Sequence, residues 1–288
     1  MFEIDTSQIE RFRRDGFLIV DQIIDEQTVE ALRNSAARLF HGEFETGVAP
    51  DEVNWQASTS DPAATRQVCN AWKADLIVAS VVLREDIGRA IARLAGWPGS
   101  RIMQDNVLHK PPGTTAIGYH QDSAYHQWIT PREMVSCWIA LDDTFAEGGT
   151  LEVVRGSHTW GICDEIGPFH RPEDYRLAMV EEAARQGVEP EVVPIVVAAG
   201  GGSFHHGTTW HGSGVNNTER SRRSVVTHAL SSETRFVRKN IDQGNGPIYG
   251  RYMRLMGNEM DENFFPILWT EDGGRTKGLD RYLTAVVN

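Results

Sequence analysis

Apolar residues recur at helical spacing in the first third of the chain and at strand spacing further on. Val29, Leu32, Ala36 and Leu39 predict a helix with one face packed on a sheet, and Asp25 stands where it can cap the start. A shorter helix before it is predicted to run to about Arg14, capped by Asp5 or Thr6 and ended by Gly16, with Phe17-Leu18-Ile19-Val20 following as a strand. Ile77, Val81, Ile87, Ile91 and Leu94 predict helix over 70–95, which Pro98 and Gly99 end. Residues 41–67 carry Gly42, Gly47, Pro50, Pro62 and many polar groups. This reads as a long loop, of the kind that often serves as a lid or binding loop.

From Arg101 the texture changes to short strands: Ile102–Leu108, Thr115–His120, Met134–Leu141, Thr150–Val154, Val192–Val197, Gly202–Trp210 and Arg222–Leu230. Pro111-Pro112-Gly113 and Glu147-Gly148-Gly149 supply turns. Residues 165–188 read as a polar loop and then a helix with Ala178, Val180, Ala183 and Ala184. No internal repeat interrupts this order. Helices first and many short strands after predict a β-sandwich or barrel braced by helices.

Composition narrows the function more than the fold. The 288 residues are 40% hydrophobic and 24% charged, enough for a sizeable core. A net charge of −12 argues against nucleic acid or an anionic membrane as partner. The three cysteines, Cys69, Cys137 and Cys163, form no C-x-x-C pair, so neither a zinc site nor a disulfide frame is expected, and a cytoplasmic home suits them. The N-terminus has no signal-peptide pattern, and no stretch approaches the ~18 apolar residues of a membrane helix.

The chemistry concentrates in two stretches, Tyr119-His120-Gln121-Asp122 and Trp210-His211-Gly212-Ser213-Gly214. On a strand, His120 and Asp122 share one face and Gln121 takes the other, so both can grip one metal ion. A third ligand must come from elsewhere. Pairing the chain antiparallel about Asn216-Asn217 predicts that His211 lies across from Arg222, with Ser213 on the face of His211. Two imidazoles and a carboxylate make an Fe(II) site with open positions for a chelating 2-oxo acid and for dioxygen. An arginine then suits the distal carboxylate of 2-oxoglutarate, and Ser213 can add a hydrogen bond. His205 and His206 are rival third ligands, and Arg220 and Arg223 are rivals of Arg222. His41-Gly42-Glu43 repeats the His-x-acid pattern but falls in the predicted loop.

Taken in order, His120-Gln121-Asp122, Trp138-Ile139-Ala140-Leu141, Glu147-Gly148-Gly149-Thr150-Leu151 with Gly156-Ser157-His158, and His211-Gly212-Ser213-Gly214 with Asn216 and Arg222 resemble the phytanoyl-CoA dioxygenase family. Arg14-Asp15-Gly16-Phe17 is similar too, and the likeness covers roughly residues 7–230. The resemblance implies a mainly β fold with flanking helices and a double-stranded β-helix (jelly-roll, cupin-like) core. It implies iron bound by His120, Asp122 and His211, with 2-oxoglutarate held by Arg222 and Ser213 near Trp138, and Gln104 or Met103 lining the pocket. Gly156-Ser157-His158 becomes a structural turn with His158 a hydrogen-bonded loop residue. Related halogenases carry a small residue where Asp122 stands, so halogenation is disfavoured.

The expected activity is hydroxylation of an unactivated C–H, with desaturation, epoxidation or oxidative cyclisation as rivals and a non-catalytic metal-binding jelly roll as a third. The expectation is a single domain over 1–288: helical support over 1–100, core over 101–231 and an extension over 232–288. The expected partner is a small, largely apolar natural product, with no nucleic acid or membrane, and a homodimer is compatible. Lys110, Arg132 and Arg155 remain as contacts for the phosphates of a CoA ester. Tyr125, His126 and Trp128 follow the His-x-Asp stretch, where substrate could lie. Trp55 and Trp72 belong to the lid or to the core. Phe236, Tyr249, Tyr252, Phe264, Phe265 and Trp269 either close over the pocket or form an oligomer interface.

Overall fold

The computed structural model describes residues 2–164, 167, 169–170 and 172–283. Two helices open the chain. Thr6–Asp15 (α1) starts at Asp5, whose side chain accepts from the Gln8 amide in a capping box, and ends at Gly16. Glu26–Phe40 (α2) is capped by Asp25, as its position predicts. The predicted helix over 70–95 is two helices, Leu76–Val82 (α3) and Glu85–Ala95 (α4). Buried Asp75 caps the first through the Ile77 and Val78 amides, and Arg84 is extended between the two, with its guanidinium on Asp86. Leu177–Gln186 (α5) meets its expectation. Residues 165, 166, 168 and 171 of the loop before it lie outside the described residues.

The strands are Phe17–Val20 (β1), Glu52–Val53 (β2), Arg66–Cys69 (β3), Gly99–Lys110 (β4), Ile117–His120 (β5), Ile129–Thr130 (β6), Val135–Ala140 (β7), Leu151–Val154 (β8), Val192–Pro194 (β9), Gly202–His206 (β10), His211–Ser213 (β11), Arg222–Ser231 (β12), Arg235–Phe236 (β13) and Ile267–Thr270 (β14). Twelve of them build a jelly roll from two facing sheets, and β6 and β13 pair with each other apart from these. The major sheet runs β1-β10-β7-β12-β4-β3-β2, with β14 also on β4, and the minor sheet runs β5-β11-β8-β9. Segment 41–67 is therefore not all loop, because β2 and the start of β3 extend the major sheet along β4.

Strand alternation divides the molecule. Leu18, Val107, Val135, Cys137, Ile139, Phe204 and Val225 pack outward against Val29, Leu32, Leu39, Ile87 and Ile91 of the helices. The opposite face meets the minor sheet through Trp138, Ala140, Val226, Leu151 and Val153. Trp55 and Trp72 both belong to the helical core, so neither forms a lid. The C-terminal aromatics divide: Phe236, Tyr249 and Phe265 close over Trp128, while Trp269 lies on β14.

The predicted strand 202–210 is broken. Strand β10 ends at His206, and the chain turns through Gly207 into β11 of the other sheet. A Cβ at Gly207 would lie 2.3 Å from Met134 Cγ and 2.4 Å from Ser123 Oγ, so the turn fits only glycine.

Candidate active site

His211 is the Cα partner of His120 in the β11–β5 pairing, and the two rings stand 4.2 Å apart. This register corrects the hairpin expectation. Arg222 pairs with Lys110 in the major sheet, so His211 and Arg222 approach the same cavity from opposite sheets. A second correction concerns Asp122, which begins a 3-10 turn (Asp122–Tyr125) after β5 ends at His120. The Ser123 amide donates to Gly207 O and anchors this turn. Gln121 does point away, donating to Gly161 O and Thr208 O.

One ligand atom from each of His120, Asp122 and His211 lies within 4.8 Å of the others. Asp122 Oδ1 is 3.6 Å from His120 Nε2 and 3.4 Å from His211 Nε2. Neighbouring ligands that each sit about 2.1 Å from one ion are roughly 3 Å apart, so small movements suffice. The tautomers agree. His120 Nδ1 donates to Gly118 O at 2.8 Å and His211 Nδ1 to Thr209 O at 2.9 Å. Each Nε2 then aims its lone pair at the spot faced by the carboxylate oxygen, an arrangement that a cation completes.

His205 is buried beside this group, with Nε2 3.3 Å from the other carboxylate oxygen, Oδ2. Its Nδ1 has no partner, so no carbonyl turns its Nε2 lone pair inward, and Nε2 donates to Oδ2 instead. Ser136 Oγ also donates to Oδ2, at 2.8 Å. His206 faces the other way, on Thr208, and His158 bonds Arg13 O as a loop residue. His41 is exposed at the end of α2.

A cavity of about 420 Å³ between the sheets reaches from Arg222 and Ser213, past the triad, to Gly246–Tyr249. At its first end the Arg222 guanidinium is buried, 5.8 Å from the Trp138 ring, and bonds Gly149 O and Ser224 Oγ. Lys110, also fully buried, donates to Ser213 Oγ at 2.9 Å, which leaves the Ser213 proton free for an anion. No carboxylate among the described residues pairs with either cation. Burial pushes Arg222 down to about 10 and, with Arg222 close by, lowers Lys110 well below the usual lysine range. Arg223 instead pairs with Asp142 on the opposite face, and Arg220 is exposed near the turn. Asn216 ties that turn down by donating to the Lys110, Pro111 and Arg220 carbonyls.

Lys110 is thus not a surface contact for phosphate. Arg132 is paired with Asp164 and Arg155 with Asp15 and Glu191, both partly exposed. Gln104 and Met103 both line the cavity, but at the far end from Arg222. Gln104 pairs with His228, six positions along β4 from Lys110, or about 20 Å. His228, Ser136 and the burial of Lys110 were missed by sequence reasoning. Strand parity carried the signal, because positions 222, 224, 226 and 228 share a face, as do 104, 106, 108 and 110.

Residues 12–224 match the model of the phytanoyl-CoA dioxygenase (PhyH) family. The human peroxisomal phytanoyl-CoA dioxygenase is 22% identical over 243 residues, 78% of this chain and 68% of that protein. The ectoine dioxygenase of Nocardia farcinica is 24% identical over 252 residues, 82% of this chain and 80% of its own length. Among solved structures, the non-heme alpha ketoglutarate dependent epimerase SnoN from nogalamycin biosynthesis superposes with a TM-score of 0.69 at 21% identity. That match covers 91% of this chain and 97% of SnoN. With the family model spanning most of its length, the chain belongs to the phytanoyl-CoA dioxygenase family.

Proposed function

We propose that this chain, a dioxygenase that uses Fe(II), 2-oxoglutarate and O2, hydroxylates an unactivated C–H bond of a small organic molecule. The observation that carries the reading is the convergence of two backbone-pinned imidazoles and one carboxylate, beside a buried arginine that lacks a carboxylate partner. His120, Asp122 and His211 would hold the iron. Arg222 and the Ser213 hydroxyl would take the distal carboxylate of 2-oxoglutarate, with Trp138 as the wall beside it. When bound, the iron couples decarboxylation of 2-oxoglutarate, giving succinate and CO2, to transfer of the second oxygen atom of O2 into the C–H bond.

The protein's own groups position and shield. Ser136 and His205 fix the rotation of Asp122, so Oδ1 stays toward the imidazoles. Trp128, stacked 4.6 Å from Tyr249, closes the far end and excludes water. We read residues 1–288 as one catalytic unit, because strands from both flanks of the core join the major sheet.

The test is succinate release from 2-oxoglutarate with Fe(II) across a panel of candidate substrates. Stimulated release with a product heavier by one oxygen, and bearing a new alcohol rather than an epoxide by NMR, supports hydroxylation. A product lighter by two hydrogens would assign desaturation or cyclisation instead, and no release at all would leave only a metal-binding jelly roll.

A further inference from the structure

The far end of the cavity is lined by a chain of hydrogen bonds whose direction is fixed at one terminus. Ser136 Oγ donates its one proton to Asp122 Oδ2 at 2.8 Å. Ser136 Oγ, 2.7 Å from His228 Nδ1, therefore accepts from that nitrogen, and His228 Nε2 is left as an acceptor. Asn106 Nδ2 donates to it at 2.9 Å. The Asn106 oxygen is then turned the other way, where it accepts from Gln104 Nε2 at 3.0 Å and Gln67 Nε2 at 3.1 Å. Both glutamines end with their carbonyl oxygens unpaired by any described residue, and both side chains line the cavity.

Charge gives an independent constraint. Arg222 is the sole arginine or lysine among the described lining residues, and it stands at the opposite end. Apart from Asp122, the one carboxylate among the described lining residues is Glu52, on the exposed edge strand β2. An anionic substrate would meet two amide oxygens and a carboxylate with no cation to offset them. The remaining surface at this end is largely apolar and aromatic, from Met103, Trp128, Ile248 and Tyr249, and the buried Tyr249 hydroxyl has no hydrogen-bond partner among the described residues.

Building on the oxygenase reading, we propose that the substrate is an uncharged, largely apolar molecule that presents an N–H or O–H donor to Gln67 and Gln104. Aromatic lactams and secondary amides fit this description; carboxylates and acyl-CoA thioesters do not. The donor edge holds the molecule by the wall that begins at Asp122, so the bond to be oxidised is placed relative to the metal ligands through one continuous network.

The test uses the full chain, loaded anaerobically with Fe(II) and 2-oxoglutarate. Four matched sets are screened by thermal shift: bicyclic aromatic lactams with a free N–H, their N-methyl analogues, aromatic carboxylates of the same ring size, and short acyl-CoA thioesters. Hits should concentrate in the N–H set, and N-methylation should weaken any hit about tenfold by calorimetry, the worth of one hydrogen bond to a buried acceptor. Equal or more frequent hits among the carboxylates or thioesters, including no hits in any set, overturn the proposal. In Gln104→Leu the N–H preference should shrink to about threefold or less. Gln67→Leu repeats the measurement from the neighbouring strand, and an unchanged preference in both overturns the proposal. Succinate release with the same compounds separates the two ideas. Binding of lactams with no succinate release from any compound tested counts against the oxygenase reading alone, and a carboxylate that stimulates release refutes the donor requirement alone.

Discussion

The two ends of the cavity are built from the same pair of strands and have opposite chemistry. Strand β12 carries Arg222 at one end and His228 at the other, and β4 carries Lys110 and Gln104 in matching positions. At the first end two cations are buried without a carboxylate partner among the described residues, at a desolvation cost that only a ligand of opposite charge offsets well. At the second the polar groups satisfy one another along a chain and leave neutral acceptors over. One end is therefore specific for charge, as suits a fixed co-substrate. The other is specific for shape and hydrogen-bond polarity, as suits a substrate that varies between relatives.

The largest effect should come from the group that belongs to both ends. Asp122→Ala removes a proposed ligand and also the acceptor that orients Ser136 and His228. Loss of an outer partner of a metal site costs about 10- to 100-fold, so loss of the ligand should exceed that range. Iron content by metal analysis and succinate release should both fall to background. An Asp122→Ala protein that keeps its iron would break the comparison at its centre.

Arg222→Ala should act on one end only. Hydrogen bonds to a charged group are worth about 1.5–3 kcal/mol, so the 2-oxoglutarate concentration for half-maximal turnover should rise roughly fiftyfold. Bound iron should be unchanged. Parallel loss of iron would mean that the cationic end supports the metal ligands instead of the co-substrate.

Gly246→Ala should act on the other end and by less. Gly246 has φ +64°, and a Cβ there would come 2.4 Å from Trp128 Cδ1, so the C-terminal segment must lift away from the indole. Overpacking of this kind costs about 1–3 kcal/mol, which should lower the melting temperature and weaken substrate about tenfold while the 2-oxoglutarate requirement stays put. A change in that requirement would show that the ends are coupled.

These three positions also differ in how legible they were. The His120-x-Asp122 spacing and the His211-Gly-Ser group marked the triad because metal ligation constrains residue type and spacing together. The partnership of Arg222 with the site was anticipated through a hairpin the structure lacks, since register between distant strands is set by the whole sheet and not by a nearby turn. The break at Arg84 and the strands within 41–69 are not recorded by local periodicity: the Arg84 guanidinium is held by Asp86 and Ile23 O, β3 pairs with β4, and β2 pairs with β3. Closure by Tyr249 and Gly246 follows from packing on Trp128, and no local pattern records it.

The smallest effect should fall on His206, one residue from a side chain that touches Asp122. His205 and His206 are adjacent on β10, so alternation sends them to opposite faces. His205 reaches Asp122 Oδ2 at 3.3 Å, while His206 Nδ1 bonds Thr208 Oγ1 at 2.7 Å and its ring lies tilted, 5.9 Å from that of His158. Burial pushes His206 down to about 4, so it is neutral at pH 7 and adds no charge to either end. His206→Ala should therefore cost about 1 kcal/mol of stability for the lost hydrogen bond and leave iron content and the 2-oxoglutarate requirement unchanged. Metal analysis of this variant is the sharpest control on the choice of third ligand. If iron is lost, the inward face of β10 has been assigned to the wrong histidine, and the distinction between the two ends, which rests on that parity, fails with it.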